Sequence, residues 1–304
     1  MKTITALLLA LMVAGCTREP GSTTLTRGEL VIACDESVLP VMKTAVAEFL
    51  DQYKDAKITL RPVEAREAIA DFVSDSVRVI VCARTLNKEE REAVAAAKIP
   101  LQEYHVAQSA VAVIANKANP LSTLRMGQVD SIFGGELTRW PGKGKRPAID
   151  IVVGDVNSST NEVFRNAVLR GRKFALSATP MTWSADIIDY VGKTPNAVGI
   201  VGLCWLKGFE ERVNVMSLGS QSWRPDSTLP AGQYYTPAQA YVFQGYYPVN
   251  TPVFIYTREA SRDLGLGFIS YLTSAAGQKV VVKGGLVPVT MPVRLVQLSS
   301  DQVK

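Results

Sequence analysis

The stretch that most constrains the fold is a short apolar run that passes into a helical pattern through a loop of small polar residues. The apolar run covers residues 149–154, and the loop contains the sequence Asn-Ser-Ser-Thr-Asn-Glu at residues 157–162. Apolar residues then recur at helical spacing from Val163 to Val168. This layout predicts a β-strand, a polar cap and an α-helix in succession.

The loop places Ser158, Ser159 and Thr160 at the predicted start of that helix. The first turn of a helix leaves backbone N–H groups without partners, and the helix macrodipole adds partial positive charge there. Hydroxyl groups at the same place add donors, so the junction is able to bind an anion. The alternative is that Ser158 only caps the helix, which is the ordinary role of a serine at this position.

A second junction of the same kind lies near the start of the chain. The β-type run 29–34 leads into Asp35, Glu36 and Ser37, and apolar residues at helical spacing follow as far as Phe49. Ser37 is therefore the predicted cap of a second helix, whose first turn contains a proline that needs no hydrogen-bond partner there.

β-type runs and helical patterns alternate along the rest of the chain. The predicted strands are 57–62, 77–82, 109–114, 197–203 and 251–257, and the predicted helices are 65–73, 87–97, 124–133, 185–191, 264–272 and 275–282. This alternation predicts an α/β fold with mostly parallel sheets and helices on both faces. In such folds ligands bind beyond the carboxyl ends of strands, where Ser37, Arg84 and Ser158 would lie. The irregular, tyrosine-rich region 217–245 is either a partner-binding surface or a connector.

The amino terminus has the features of a secretion signal. Lys2 supplies a positive charge, residues 4–13 are apolar, and small residues lead into Cys16. The apolar run is too short to span a bilayer as a mature helix. The Val-Ala-Gly-Cys ending resembles the bacterial lipoprotein signal, which implies cleavage before Cys16 and lipid attachment to its sulfur; a plain signal peptide is the alternative. The polar residues 17–26 read as a tether.

Composition excludes several function classes. The chain has 304 residues, is 47% hydrophobic and 20% charged, and has a formal net charge of +5, which is mild and shows no basic run that would indicate nucleic acid binding. Besides Cys16, the cysteines at 34, 82 and 204 have no metal-ligand spacing, so buried thiols with at most one disulfide are expected. The only histidine, His105, has no motif around it. No metal or other cofactor and no catalytic residue is predicted, and we expect the protein not to be an enzyme.

Several segments together look like those of the substrate-binding proteins of phosphate ABC importers. The most specific is residues 132–140, with the pattern Ile-Phe-x-Gly-Glu-x-Thr-x-Trp. The others are Asn116–Pro120, Ser158–Thr160, Val198–Gly202, Tyr247–Pro248 with Pro252–Thr257, and Ala276–Gln278 with Gly285–Pro288. The resemblance runs from about residue 29 to residue 290.

The resemblance implies a type II periplasmic-binding-protein fold with two α/β lobes joined by two crossover hinge strands. Lobe 1 would combine residues 29–106 with 252–292, and lobe 2 would cover 107–251. Residues 1–15 would be the signal peptide, 16–28 the tether and 293–304 a tail. The ligand would be held between the lobes by helix N-termini and hydroxyl groups.

By similarity, the ligand residues are Ser37, the backbone N–H of Val38, Arg84, and the run Ser158, Ser159 and Thr160. Five departures from the family pattern accompany them. Ser159 replaces a glycine, and the position of a family arginine falls on Gly154 or Asp155. Glu64-Ala65-Arg66 stands where a glycine-serine loop is expected, Arg78 aligns with a family aspartate, and Asp35 and Glu36 replace small residues. Arg66 and Arg78 are either ligand contacts or solvated surface residues, the latter being the commoner case.

The expected function is capture of phosphate, or of another small oxyanion, by a monomeric lipoprotein of a bacterial cell envelope. It would be anchored to the membrane through Cys16, face the periplasm or the exterior, and serve an ABC permease. The alternative is a family member with a diverged ligand site that acts as a sensor or scaffold in an envelope complex. The substitutions at Gly154 or Asp155, Glu64 and Arg78 favour the alternative, and the intact loop 158–160 opposes it. The acidic residues Asp35, Glu36 and Asp155 also oppose anion binding, because carboxylates desolvated against an anion are unfavourable unless they are paired.

Overall fold

The computed structural model describes residues 23–141, 147–209, 211–219, 232–259 and 263–290. The predicted signal peptide, the lipid-attachment residue Cys16 and the tail 293–304 lie outside these ranges. No helix among the described residues has the length and apolar character that crossing a bilayer requires.

In the first part of the chain, strands and helices alternate, in close agreement with the sequence prediction. Its elements are β1 (Gly28–Asp35), α1 (Leu39–Gln52), β2 (Ala56–Val63), α2 (Ala65–Val73), β3 (Val79–Cys82), α3 (Lys88–Ala96) and β4 (Gln102–Asn116). The bounds of α2 match the predicted helix 65–73. Its buried residues fall at helical spacing, which is the signal that the sequence carries.

The middle of the chain forms a second α/β unit. Its elements are β5 (Thr123–Arg125), α4 (Met126–Gly134), β6 (Asp150–Gly154), α5 (Ser159–Ala167), β7 (Thr179–Met181), α6 (Ser184–Lys193), β8 (Ala197–Gly202), β9 (Val213–Val215), β10 (Ser217–Gly219), β11 (Tyr234–Tyr235) and α7 (Gln239–Phe243). The last part contains β12 (Asn250–Thr257), α8 (Leu264–Thr273), α9 (Ala275–Lys283) and β13 (Val287–Pro288).

Strand order shows two lobes that share one long strand. In lobe 1 the order is β2-β1-β3-β12-β4, and in lobe 2 it continues as β4-β8-β6-β7. The strands β1, β2 and β3 run parallel, as do β6, β7 and β8, whereas β12 and β8 each lie antiparallel to β4. The mixed α/β fold is therefore confirmed: each lobe contains parallel strand pairs, and every pair that β4 or β12 forms is antiparallel.

β4 is the first crossover between the lobes. Its residues 102–110 pair with β12 in lobe 1, and its residues 111–115 pair with β8 in lobe 2. The chain returns beside it, because Val111 N–H donates to Val249 O at 2.9 Å just before β12 begins. The buried Tyr247 hydroxyl also donates to Val111 O, at 3.0 Å.

Three sequence predictions needed correction. The predicted strand 109–114 is the central part of the longer β4. The predicted helix 124–133 begins at Met126, because Thr123–Arg125 forms β5 alongside β10. The region 217–245, expected to be irregular, contains β10, β11 and α7; its residues 220–231 lie outside the described part.

The lobe 1 core holds α1 against α8. The ring of Phe49 contacts Phe268 edge-on at 5.7 Å and Tyr271 at 5.5 Å between centroids. All three side chains are buried, and each contributes on the order of 1.5–3 kcal/mol through burial of apolar area. This packing fixes α1 and therefore the short turn at Glu36–Val38, which links β1 to α1 and faces lobe 2.

Candidate functional site

The carboxylate of Asp35 lies where the two lobes meet, a region that we call the cleft. Asp35 ends β1 and caps the 3₁₀ turn Glu36–Val38, because its Oδ1 accepts hydrogen bonds from Ser37 N at 3.0 Å and from Ser37 Oγ at 2.8 Å. The prediction that Ser37 is the helix cap was wrong, since Ser37 lies inside this turn and α1 follows Val38. Its Oδ2 accepts from Ala83 N, at the end of β3, at 2.9 Å, and from the Ser159 hydroxyl in lobe 2. Donors from both lobes thus converge on one anionic group, which is fully buried.

The neighbouring carboxylate, that of Glu36, binds a different helix of lobe 2. Its two oxygens accept from Ser184 N and from Ser184 Oγ, each at 2.9 Å, at the first residue of α6. The Glu36 carbonyl accepts from the indole of Trp205 at 2.9 Å. Burial raises the pKa of Glu36 to about 7, although the two hydrogen bonds from Ser184 favour the ionised form.

The Ser-Ser-Thr run that is predicted to bind an anion lies at the amino terminus of α5. Ser158 is the N-cap: its Oγ accepts from Asn161 N at 3.1 Å and donates to Asp155 O at 2.8 Å. The Ser158 hydroxyl therefore forms its hydrogen bonds within the loop. This is the capping role that the sequence offered as the alternative to anion binding. Ser159 and Thr160 are buried in the first turn, and Ser159 contacts lobe 1 through Asp35.

Arg84 reaches the cleft from the end of β3, but its guanidinium is already paired. It forms a bidentate pair with Glu90 at 2.8 and 2.7 Å, and its Nη1 donates to Thr85 O at 2.9 Å. Burial lowers the pKa of Arg84, but the hydrogen bonds to Glu90 and the charge of Glu162 outweigh burial and raise it overall. The same contacts hold the pKa of Glu90 below its usual range despite burial.

Glu162 of α5 links lobe 2 to both cleft arginines. Its Oε2 lies 3.4 Å from Nε of Arg84 and 3.4 Å from Nε of Arg66. The backbone reinforces the contact, because Arg66 N–H donates to Asn157 O at 3.2 Å. The two arginines therefore act between the lobes, where they neutralise protein carboxylates.

Glu64 adds a carboxylate whose Oε2 is buried without a hydrogen-bond partner. Burial, together with the nearby charges of Asp35, Glu36 and Asp155, raises the pKa of Glu64 to about 8. Carboxyl groups are therefore concentrated in this part of the cleft, and Glu64 keeps its proton at neutral pH.

The sequence-predicted residues fall into two groups. Ser37 and Ser159 meet at the Asp35 carboxylate, with Val38 buried next to Ser37 and Thr160 buried beside Ser159. Arg84 and Ser158 are at the cleft, but with their polar groups bound to other residues of the protein. Arg78 is not part of the site: it precedes β3, at the opposite end from Ala83, and its 63% exposed side chain lies 3.9 Å from Asp75.

Sequence reasoning did not identify three contributors to the site. They are the N–H of Ala83, the α6 terminus at Ser184, and Glu162. Ala83 follows a buried strand, and Ser184 precedes a helical pattern, so both occupy the kind of position that marked Ser37. Neither carries a distinctive side-chain motif.

The cysteines have a structural role. Cys34, Cys82 and Cys204 are free and buried, which confirms the expectation of buried thiols. Burial raises the pKa of each thiol, and Cys204 donates to Ser37 O at 3.2 Å across the lobes. Within the described part of the chain, no three His, Cys, Asp or Glu side chains are arranged to hold a metal ion.

Comparison with known proteins agrees with this architecture. A family model described as a PBP superfamily domain matches residues 20–276. Protein SphX of Synechococcus elongatus is 23% identical over 262 residues, which cover 83% of this chain and 75% of SphX. Phosphate-binding protein PstS of Staphylococcus aureus is 23% identical over 268 residues, which cover 86% of this chain and 78% of PstS.

Solved structures show the same fold. One, from Clostridium perfringens with bound phosphate, is of a protein assigned as a phosphate ABC transporter substrate-binding protein; it has a TM-score of 0.74 and 23% identity, and covers 86% of this chain and 100% of its own. An ABC-type phosphate transport receptor from Vibrio cholerae has a TM-score of 0.66 and 18% identity, with coverage of 86% and 100%. The two lobes share β4, donors from both lobes meet in the cleft, and the family model matches most of the chain. This chain therefore belongs to the PBP superfamily.

Proposed function

We propose that this protein is an extracytoplasmic solute-binding protein that captures an oxyanion, with phosphate as the first candidate, and delivers it to an ABC importer. The relatives named as phosphate-binding proteins, and the solved structure with bound phosphate, support this ligand. We assign it no catalytic role, since binding of this kind requires only preorganised donors and a hinge.

One observation carries the proposal. Ser37 N–H, Ser37 O–H, Ala83 N–H and Ser159 O–H come from both lobes and point at one buried position, which holds an anionic group, the Asp35 carboxylate. The cleft is therefore built to hold oxygens that bear negative charge. Bound between the lobes, an oxyanion would take the same donors together with the first turn of α5.

Isothermal titration calorimetry tests this function. The purified protein would be titrated with phosphate and then with sulfate, in a buffer that contains neither. We expect phosphate binding that Thr160→Ala weakens by about tenfold, because Thr160 lies in the buried first turn of α5. A folded protein that releases no heat with either anion would contradict the oxyanion assignment.

The cleft carboxylates favour a second candidate, a sensor or scaffold in an envelope complex. Asp35 and Glu36 already bind helix starts of lobe 2, and Glu64 adds a further carboxyl group. A protein of this kind would keep the fold and the lobe contacts without a solute. Capture of an envelope partner by protein that is silent in calorimetry would support this candidate.

We also propose that Cys16 carries the lipid anchor and that the mature protein is a monomer facing the periplasm or the exterior of a bacterium. The sequence around Cys16 supports the anchor, and an ABC permease would be the partner in transport. Mass spectrometry of the mature amino terminus tests this, since Cys16→Ser is expected to abolish both lipid attachment and membrane association.

A further inference from the structure

The donors of the cleft are not free, because a side chain of the protein binds them. A carboxylate offers about four lone-pair positions, and Asp35 accepts four hydrogen bonds. Three donors belong to Ser37 and Ala83 in lobe 1, and the fourth is Ser159 in lobe 2. The carboxylate is thus saturated, and it occupies the position where the donors of both lobes meet.

Glu36 repeats this arrangement at a second helix. Its carboxylate lies at the first turn of α6, where the helix dipole favours negative charge, and receives both the N–H and the hydroxyl of Ser184. Two consecutive residues of lobe 1 therefore hold two different helices of lobe 2. The lobes are joined by carboxylates that belong to the chain itself.

The two arginines of the cleft are already bound to carboxylates of the protein. Arg84 is bound by Glu90 and Glu162, and Arg66 by Glu162. An oxyanion that approaches while Asp35 is in place meets the carboxylate of Asp35, and repulsion between like charges opposes its entry.

From these contacts we propose that Asp35 is an internal ligand of the cleft, which competes with the solute oxyanion for the donors of Ser37, Ala83 and Ser159 and so determines the affinity of the site. Together with Glu36, it holds the lobes closed. The part of this inference that concerns solute affinity rests on the proposed function. The part that concerns lobe closure does not.

The test is made at about pH 9, above the pKa of about 8 that Glu64 has in the folded protein, so that its two variants each remove one negative charge from the cleft. Asp35→Asn keeps the size of the side chain but cannot accept from all four donors. Glu64→Gln removes a nearby charge without breaking any hydrogen bond of the donors, because the buried Glu64 Oε2 has none. The difference between the two variants therefore separates competition for the donors from a general change in charge.

Phosphate affinity is the first measurement, by calorimetry on the full chain. We expect Asp35→Asn to bind phosphate about tenfold or more tighter than the unaltered protein, with a clearly smaller gain for Glu64→Gln. If the unaltered protein binds phosphate and Asp35→Asn binds it equally or more weakly, Asp35 is not a competitor, and the inference is overturned while the proposed function stands.

Lobe opening is the second measurement, by small-angle X-ray scattering in buffer without phosphate or sulfate. The double variant Asp35→Asn/Glu36→Gln is expected to have a larger radius of gyration than the unaltered protein, and Glu64→Gln an unchanged one. If no form of the protein binds phosphate, the proposed function fails, and this measurement alone decides the inference: opening of the double variant supports it, and equal dimensions overturn it. Ser159→Ala, which removes one donor and no charge, provides the same readout if the double variant does not fold.

Discussion

The Oδ2 atom of Asp35 accepts a hydrogen bond from Ser159, a residue 124 positions further along the chain and in the opposite lobe. The contact joins the end of β1 to the first turn of α5. A buried hydrogen bond to a charged group is stronger than one between neutral groups, so this contact has a measurable effect on stability.

We expect Ser159→Ala to lower the free energy of unfolding by about 1.5–3 kcal/mol, because it removes a donor from a buried carboxylate. Urea unfolding followed by circular dichroism measures the change. Ser270→Ala, on the exposed side of α8, is the matched control and is expected to stay within about 0.5 kcal/mol of the unaltered protein. Equal effects of the two substitutions would mean that the Asp35–Ser159 contact does not stabilise the fold.

The raised pKa of Glu64 predicts a dependence of stability on pH. The folded protein holds this proton up to a pKa of about 8, whereas the ordinary value is 4.5. Between these values the folded state binds more protons than the unfolded state, so the contribution of Glu64 is fully present below about pH 4.5 and is lost as the pH rises through about 8.

Glu64→Gln is expected to remove this part of the dependence. At about pH 9 it should exceed the unaltered protein in unfolding free energy by about 1–2 kcal/mol, since solvent screens part of the effect at this partly exposed side chain. Unfolding curves at about pH 5 and about pH 9 measure it. Glu67→Gln, in the first turn of the helix that follows Glu64 and with a 55% exposed side chain, is the control. Parallel pH profiles for Glu64→Gln and the unaltered protein would contradict the prediction.

Arg84 is expected to be important for stability because its removal leaves carboxylates buried without a cation. Arg84→Met would leave the charges of Glu90 and Glu162 without the cation that lies between them. We expect it to lower the free energy of unfolding by about 3–5 kcal/mol. Arg91→Met is the matched control, because Arg91 forms a similar bidentate pair with Glu103 at 2.6 and 3.1 Å but is 45% exposed. We expect Arg91→Met to lower the free energy of unfolding by less than about 1 kcal/mol. Thermal unfolding of both variants measures the difference, and similar losses would show that burial of the Arg84 pair is unimportant.

Most of the fold follows from patterns that are local in the sequence. The helix 65–73 and the strand at 149–154 are predicted by spacing within a few residues, and the structure has α2 and β6 there. Two elements depend on distant partners instead. β4 continues well beyond residues 109–114 because its partner changes from β12 to β8 along its length, and β5 exists because β10 lies beside it.

The candidate site was predictable in its place but not in its bonding. The carboxyl ends of strands and the helix starts that follow them identify Ser37 and Ser159 from sequence. Tertiary distances, which no local pattern encodes, determine the bonding. They decide that Asp35 accepts hydrogen bonds from both serines and that Glu90 and Glu162 neutralise Arg84. The sequence therefore indicates that the acidic residues disfavour a bound anion. It does not indicate that these residues bind the hydrogen-bond donors of the cleft themselves.

A final prediction tests lobe closure by steric means alone. Gly202 ends β8 in lobe 2, and a Cβ atom there would lie 2.4 Å from the carbonyl oxygen of Ser37 in lobe 1. The backbone of Gly202, with φ −64° and ψ 142°, is open to alanine, so strain arises only from the opposite lobe. Gly202→Ala must therefore displace the turn that contains Ser37.

We expect Gly202→Ala to fold with lobes further apart and to lose about 1–3 kcal/mol of unfolding free energy, because displacing the turn weakens the contacts of Asp35 and Glu36 with lobe 2. Small-angle scattering and urea unfolding measure the two effects. Gly127→Ala is the matched control, because a Cβ atom at that position of α4 meets no atom within 4 Å. Replacement of a helical glycine by alanine should stabilise the control by about 0.5–1 kcal/mol. An unchanged radius of gyration in Gly202→Ala would show that the lobes accommodate the added methyl group without opening, and that closure does not depend on the close approach of Gly202 to Ser37.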